Sequence, residues 1–244
     1  MSRHNITTPD HRPTHTVEDY LMTMHVMERD YGEIVAARLA EMLGVTPATV
    51  AMTFKRMERD NWITGKGRKS VRLTETGRAA AHSVTRRHML TEWLLLKILK
   101  VELPLIHDEA HGIEHALSPH LEERLLDVLG DPQVCPHGNP LPGHEHVVSN
   151  WIPLTELSTR ERVVIRRIHE FAEENADLLN FLIENGVLPG AEVLVGEILP
   201  FNQTMTIEME GETKGETEGE MAGRQITLGF PAARYIFAER RASA

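Results

Sequence analysis

The stretch His107-Asp108-Glu109-Ala110-His111-Gly112-Ile113-Glu114-His115 sets four nitrogen and oxygen donors at helical spacing. Successive residues of an α-helix turn by about 100°, so His111, Glu114 and His115 fall roughly 40°, −20° and 80° from His107. One face, about 100° wide, then carries all four. Imidazole nitrogens and a carboxylate at i, i+3 and i+4 reach one borderline divalent ion. A solvated polar face would show the same spacing, so the rest of the chain has to decide between the two.

The 244 residues are 41% hydrophobic, which supports one substantial core or two or three small ones. Residues 1–14 are polar, and the longest apolar run, residues 93–99, is interrupted by Lys97. Neither a signal peptide nor a membrane span is expected, and a cytoplasmic location follows. Cys135 is the single cysteine, which excludes an intramolecular disulfide and a multi-cysteine zinc site. The net charge of −10 argues against nucleic acid only until its distribution is read. Residues 1–87 hold 14 Lys and Arg against 10 Asp and Glu, or +4; the remainder holds 12 against 26, or −14. Only the first third can take DNA.

Val17, Tyr20, Leu21, Met24 and Met27 repeat at helical spacing through residues 16–30, and Gly32 stops that helix. A second helix spans residues 33–43. Thr46 then caps and Pro47 opens a third, so a tight Gly44 turn separates two short helices in the manner of a helix-turn-helix. Trp62-Ile63-Thr64 and Ser70-Val71-Arg72-Leu73 flank the basic tip Gly65-Lys66-Gly67-Arg68-Lys69, a two-stranded wing whose Lys66, Arg68 and Lys69 would meet phosphates. Thr74 starts a long helix reaching about Lys100, with His88 and Glu92 one turn apart. Its end, residues 93–99, is apolar nearly all round, which suggests a subunit interface as well as a core.

Pro104 opens the His-rich helix and Ser118-Pro119 the next one. Residues 130–151, rich in Pro and Gly, form a break packed against its neighbours. One or two helices are expected over 159–185. Val193-Leu194-Val195, Met205-Thr206-Ile207 and Gln225-Ile226-Thr227-Leu228 read as strands of a small β-barrel. The acidic, low-complexity residues 208–220 between them read as a solvated loop.

With Arg56-Met57-Glu58-Arg59-Asp60, Leu73-Thr74-x-x-Gly77-Arg78, His88-x-x-x-Glu92, Glu114-His115-Ala116-Leu117-Ser118 and Pro136-His137-Gly138-Asn139-Pro140 in this order, residues 16–143 resemble the diphtheria-toxin-repressor family. This family of metal-dependent transcriptional regulators includes iron-dependent and manganese transport regulators. Residues from about 150 onward resemble its Src-homology-3-like barrel, with Gly186-Val187-Leu188-Pro189-Gly190 as landmark. The resemblance implies a mainly α fold with a small β part. It divides into a winged helix-turn-helix domain (1–74), a helical metal-binding and dimerisation domain (75–143), a linker (144–151) and the barrel (152–244).

The resemblance further implies a primary metal site of Asp19, His111, Glu114 and His115, and an ancillary site of His88, Glu92 and His107. Asp19 and His111 stand where iron-responsive members have sulfur ligands, which makes the site harder and favours Mn(II), with Fe(II) next. The family's barrel ligands align with Asn175 and Leu178, so a barrel donor would have to come from neighbours such as Glu174 or Asp177. Thr46, Ala48, Thr49 and Met52 would face base edges, and Arg38, Arg56, Arg59 and Lys69 phosphates. The expected protein is a homodimeric, metal-activated repressor of metal-uptake genes that binds operator DNA. A metal-dependent hydrolase is the rival from another class. A zinc protease fails on geometry, because Glu109 lies about 200° from His107 on a helix. A constitutive DNA-binding protein with an inert His cluster is the third reading.

Overall fold

Leu21, Met24 and Met27 are wholly buried on α1 (His15–Tyr31), as their helical spacing requires, and Gly32 closes the helix in the left-handed region at φ 71°. A computed structural model of the chain describes residues 12–65, 71–210 and 223–241. The chain forms two compact units, Met1–Arg87 and His88–Ala244. In the first, α2 (Ala36–Met42) leads into α3 (Pro47–Arg59), whose N-terminal Thr46 Oγ1 accepts the Thr49 N–H at 3.1 Å. Val50, Phe54 and Met57 form the buried stripe of α3.

Strands β1 (Ile63–Thr64) and β2 (Arg72–Leu73) pair antiparallel as the wing. The expected phosphate contacts Lys66, Arg68 and Lys69 lie outside the described residues. Helix α4 (Glu75–Trp93) starts where Thr74 Oγ1 donates to Asn61 O at 2.7 Å and accepts the Gly77 N–H at 2.9 Å. A Cβ on residue 77 would stand 1.9 Å from Trp62 O, so only glycine lets α4 approach the wing this closely. The pair Arg87–Glu18, at 2.7 Å and almost wholly buried, ties the same helix to α1.

The second unit begins with the end of α4, which passes at Leu94–Ile98 into a π-turn instead of continuing as α-helix to Lys100. Wider winding redistributes the apolar run: Leu95 is buried, whereas Ile98 and Leu99 are exposed. After a 3₁₀ turn containing Pro104 come α5 (Ile106–Ile113), a second 3₁₀ turn at Glu114–Ala116 and α6 (Pro119–Leu129). The His-rich stretch is therefore not one α-helix. Pro119 forces Ser118 into extended backbone (ψ 156°), and the chain tightens over the three residues before that extension.

The remainder is an antiparallel sheet of six strands in the order β3-β8-β4-β5-β6-β7: β3 (Ile152–Pro153), β4 (Arg162–Ile168), β5 (Glu192–Leu199), β6 (Thr204–Glu210), β7 (Gln225–Gly229) and β8 (Ile236–Arg240). Helices α7 (Glu170–Glu173), α8 (Ala176–Glu184) and α9 (Phe230–Ala233) accompany it. Val163, Ile165, Val193, Val195, Ile207 and Ile236 centre its core. Two expectations need correction. Residues 159–185 hold strand β4 as well as helices, because Val163 and Ile165 alternate into the core. Residues 208–210 belong to β6, where Met209 packs inward and Glu208 pairs with Gln225, so the expected acidic loop there is strand. Residues 211–220 lie outside the described set. The expected Src-homology-3-like part is, among the described residues, this antiparallel open sheet with β3 and β7 at its edges.

Candidate metal centre

Four segments of the second unit bring their chemistry to one place. His88 and Glu92 come from α4, His107 and His111 from α5, and Glu114 and His115 from the 3₁₀ turn. Glu173 ends α7 and Glu174 follows it. His88 Nε2 is 3.2 Å from His107 Nδ1 and 3.4 Å from Glu92 Oε1. His107 Nδ1 is 3.5 Å from that same Glu92 oxygen and 3.0 Å from Glu173 Oε2. Two ligands about 2.1 Å from one ion stand roughly 3.0 Å apart in octahedral and roughly 3.4 Å apart in tetrahedral coordination. The four donors are spaced as the ligands of a single divalent ion would be.

A second group adjoins it. His88 Nδ1 meets Glu114 Oε2 at 2.5 Å, and Glu114 Oε1 lies 3.5 Å from His111 Nδ1 and 3.6 Å from His115 Nε2. Asp19, expected with these three, lies half-buried on α1 in the first unit. The sequence named Glu174 as a neighbouring donor, and its Oε1 is 3.6 Å from His107 Nε2. Asp177 is exposed, and Asn175 caps α8 by accepting the Leu178 N–H at 3.0 Å. Glu173, which the sequence did not single out, is the better placed carboxylate.

His88, Glu92, His107 and Glu173 are all buried, yet neither oxygen of Glu92 and not the Nε2 of His107 has a hydrogen-bond partner among the described residues. Buried polar atoms are normally satisfied, and an ion would satisfy these. The residues fit a divalent metal on that ground. Burial alone would lower His88, but the carboxylates of Glu114 and Glu92 push it up to about 9. Burial likewise opposes the charge on Glu114, while His111 and His88 hold its carboxyl down to about 2. His107 is driven well above its ordinary value by Glu173, Glu174 and Glu92 against the effect of burial, and Glu92 is held well below its own by His137, His107 and His88.

These directions set a pH dependence. Metal ligands must be deprotonated, so uptake at neutral pH displaces a proton from His88, and apparent metal affinity should climb as pH rises toward about 9. Without metal the signs are different. The contribution of His88 to stability is complete below its ordinary value of 6.5 and is lost as pH rises through about 9. That of Glu114 is complete above 4.5 and is lost as pH falls through about 2. Metal-stripped protein should therefore melt highest between pH 4.5 and 6.5, and saturating metal should move that optimum upward. Calorimetric melting across pH, with and without metal, checks both; an optimum that metal leaves in place contradicts them.

The loop after α6 positions Glu173. Asn139 Nδ2 donates both to Ile168 O, at 2.8 Å, and to the Glu173 carboxylate, while its Oδ1 accepts from Arg167 Nε at 2.5 Å. Trp93 Nε1 holds the loop from α4 by donating to Val134 O at 2.7 Å. His137, wholly buried, has Nδ1 3.3 Å from Glu92 Oε1 and 3.5 Å from Glu173 Oε1. Both carboxylates push His137 upward against the lowering effect of its burial.

In the first unit, Ala48, Thr49 and Met52 share a face of α3, with Ala48 exposed and Met52 67% exposed. Thr46 is exposed and also serves as the helix cap. Arg38 stacks on the Tyr31 ring at 4.3 Å, Arg56 lies half-buried in the last turn of α3, and Arg59 pairs with Asp60 at 2.7 Å. Arg72, exposed on β2, is a further cation on the wing.

Residues 13–71 match the family model for the N-terminal DNA-binding domain of iron-dependent repressors, and residues 74–143 that for their metal-binding and dimerisation domain. Residues 152–240 match the FeoA domain. The iron-dependent repressor IdeR of Mycobacterium tuberculosis is 37% identical over 191 residues, spanning 74% of this chain and 83% of that protein. This chain belongs to the iron-dependent repressor family. The diphtheria toxin repressor of Corynebacterium diphtheriae is 34% identical over 206 residues, 81% of this chain and 90% of its own length.

Among solved structures, the manganese regulator SloR superposes with a TM-score of 0.74 at 26% identity, covering 92% of this repressor-family chain and 98% of SloR. A manganese-dependent transcriptional repressor in complex with manganese shares the fold with a TM-score of 0.75 at 24% identity, over 92% of this chain and all of its own. Members of the family are metal-dependent transcriptional repressors and not enzymes, so the hydrolase alternative falls. No helix among the described residues is long and apolar enough to cross a membrane.

Proposed function

We propose that this chain is a homodimeric repressor whose grip on operator DNA is switched on by Mn(II), with Fe(II) as the alternative effector. The observation that carries the reading is the buried set His88, Glu92, His107 and Glu173, spaced for one ion in a chain that also carries a winged helix. In this reading Asp19, His111, Glu114 and His115 hold the activating ion, and His88, Glu92, His107 and Glu173 hold a second. His111 and Glu114 at 3.5 Å, with His115 beside them, support the first assignment. Exposed Ile98, Leu99 and Leu105 support a dimer interface near the end of α4 and the start of α5. Exposed Ala48 and Met52 have no side-chain hydrogen bond to offer, so they would touch thymine methyls, while Arg38, Arg56, Arg59, Arg72 and Lys69 hold phosphates.

An ion joining Asp19 to the His-rich segment ties α1 to that segment and sets the spacing of the two recognition helices. Such coupling is typically worth about 1–3 kcal/mol in DNA affinity. Both proposed sites offer only nitrogen and oxygen, and affinity alone would favour Zn(II) over Mn(II) at them. Each set has four side chains, and its two carboxylates binding through both oxygens would raise the donors to the six that Mn(II) takes, whereas Zn(II) is commonly satisfied with four and would leave the coupling incomplete. Zn(II) should therefore bind at least as tightly as Mn(II) and activate operator binding less. Fluorescence anisotropy on DNA from the chain's own upstream region, at saturating Mn(II), Fe(II) or Zn(II) and in chelator, tests both statements. Equal binding in Mn(II) and chelator removes the regulatory reading, and equal activation by Zn(II) removes the case for manganese.

A further inference from the structure

Met52 stands on α3 with 67% of its surface exposed, whereas Met24, Met27, Met57, Met89, Met205 and Met209 are each at most 3% exposed. Met22 and Met42 are half-buried, so Met52 is the one exposed methionine among the described residues. The single thiol, Cys135, is 2% exposed and lies in an apolar cluster with Met89, Leu90 and Leu141, out of reach of a dissolved oxidant. A lone apolar side chain on a surface is ordinary, and exposure alone would say nothing. Its position says more. Ala48 and Thr49 precede Met52 by four and three residues and share its face of α3, while the buried stripe Val50, Thr53, Phe54 and Met57 lies about 100° or more round the helix. The thioether therefore occupies the face that a helix-turn-helix turns to base edges.

Given the DNA-facing role of α3, on which this inference rests, we propose that Met52 is a site of oxidative modification, at which peroxide converts the thioether to a sulfoxide and weakens the hold of α3 on DNA. The Sδ lone pair takes up one oxygen of hydrogen peroxide, the O–O bond breaks and water leaves; sulfur is oxidised by two electrons and the peroxide is reduced. The product carries a polar, chiral S–O group in place of a flexible apolar one. It cannot keep an apolar contact with a thymine methyl, and its oxygen is an acceptor set against a negative DNA backbone. Metal binding is untouched, because α3 carries none of the proposed ligands. The change is reversible: sulfoxide reductases return the thioether, with a dithiol oxidised to a disulfide and water released.

The test treats full-length, metal-stripped protein with hydrogen peroxide in chelator, destroys the excess with catalase and maps the added oxygen by peptide mass spectrometry. Met52 should gain one oxygen at least roughly tenfold faster than Met24, Met27 or Met57. After Mn(II) is added, operator affinity by fluorescence anisotropy should fall at least about fivefold in step with that modification, with Mn(II) affinity unchanged. Operator bound in Mn(II) before treatment should slow the oxidation of Met52. Met52→Leu defines its own operator affinity, and peroxide should leave that affinity where it was. Oxidation of Met52 no faster than of the buried methionines overturns the proposal, as does full conversion with unchanged operator affinity. An equal loss in Met52→Leu places the effect at another residue and overturns it too. Untreated protein that fails to bind operator in Mn(II) defeats the regulatory reading instead, while the mass spectrum still decides whether Met52 is the modified site.

Discussion

Replacing Glu114 with glutamine should leave operator affinity at saturating Mn(II) no higher than in chelator, a loss of roughly 5- to 150-fold relative to wild type if the coupling lies in its usual range. Glu114 is fully buried and is the carboxylate that His88, His111 and His115 all face, at 2.5, 3.5 and 3.6 Å. The amide keeps the shape but removes the negative charge, so a bound cation loses a charged ligand and the buried His88 keeps only Glu92 of its two counter-charges. His88 should then titrate well below about 9. Histidine NMR on metal-stripped protein reads that shift, and anisotropy reads the DNA. Undiminished activation by Mn(II) in Glu114→Gln would exclude Glu114 from the activating site.

Which parts of this centre could be read beforehand follows from the range of each signal. His107, His111, Glu114 and His115 announce themselves because local periodicity puts them together, and His88 and Glu92 do so within one turn of α4. The change from α-helix to 3₁₀ turn at Glu114 escaped because the α pattern continues in the residue types, while Pro119, five residues on, sets the backbone. Glu173 escaped for a different reason. It sits just beyond β4, in residues expected to be helical, and only the packing of that strand in the sheet brings its carboxylate to His107. Strand β4 itself was hidden by Arg166 and Arg167, which interrupt the alternation after Ile165 where the pairing with β8 shifts register. His137 stood in a recognisable motif, yet a loop has no period from which facing could be inferred. Its buried contact with Glu92 is a product of tertiary structure alone.

Gly138 carries the largest expected effect on stability. It lies between His137 and Asn139 at φ +90°, and a Cβ there would stand 2.0 Å from Arg166 O and 2.8 Å from Arg167 Cα. Both obstacles are backbone of β4 and cannot rotate away, so Gly138→Ala must push the loop off the strand or deform the strand. With an unfavourable φ added to the clash, a loss of at least about 3 kcal/mol is expected. The damage should also reach the metal. Displacing the loop breaks the bonds of Asn139 to Ile168 O and to Glu173, which frees Glu173 from the position that faces His107. Gly138→Ala should accordingly lower the melting temperature and weaken metal binding together. Asn139→Ala, which keeps the glycine, should weaken metal binding with the smaller loss of stability. Differential scanning calorimetry with metal titrations on both variants separates these effects. A Gly138→Ala protein with wild-type melting and metal affinity would show that the loop does not hold Glu173 in place.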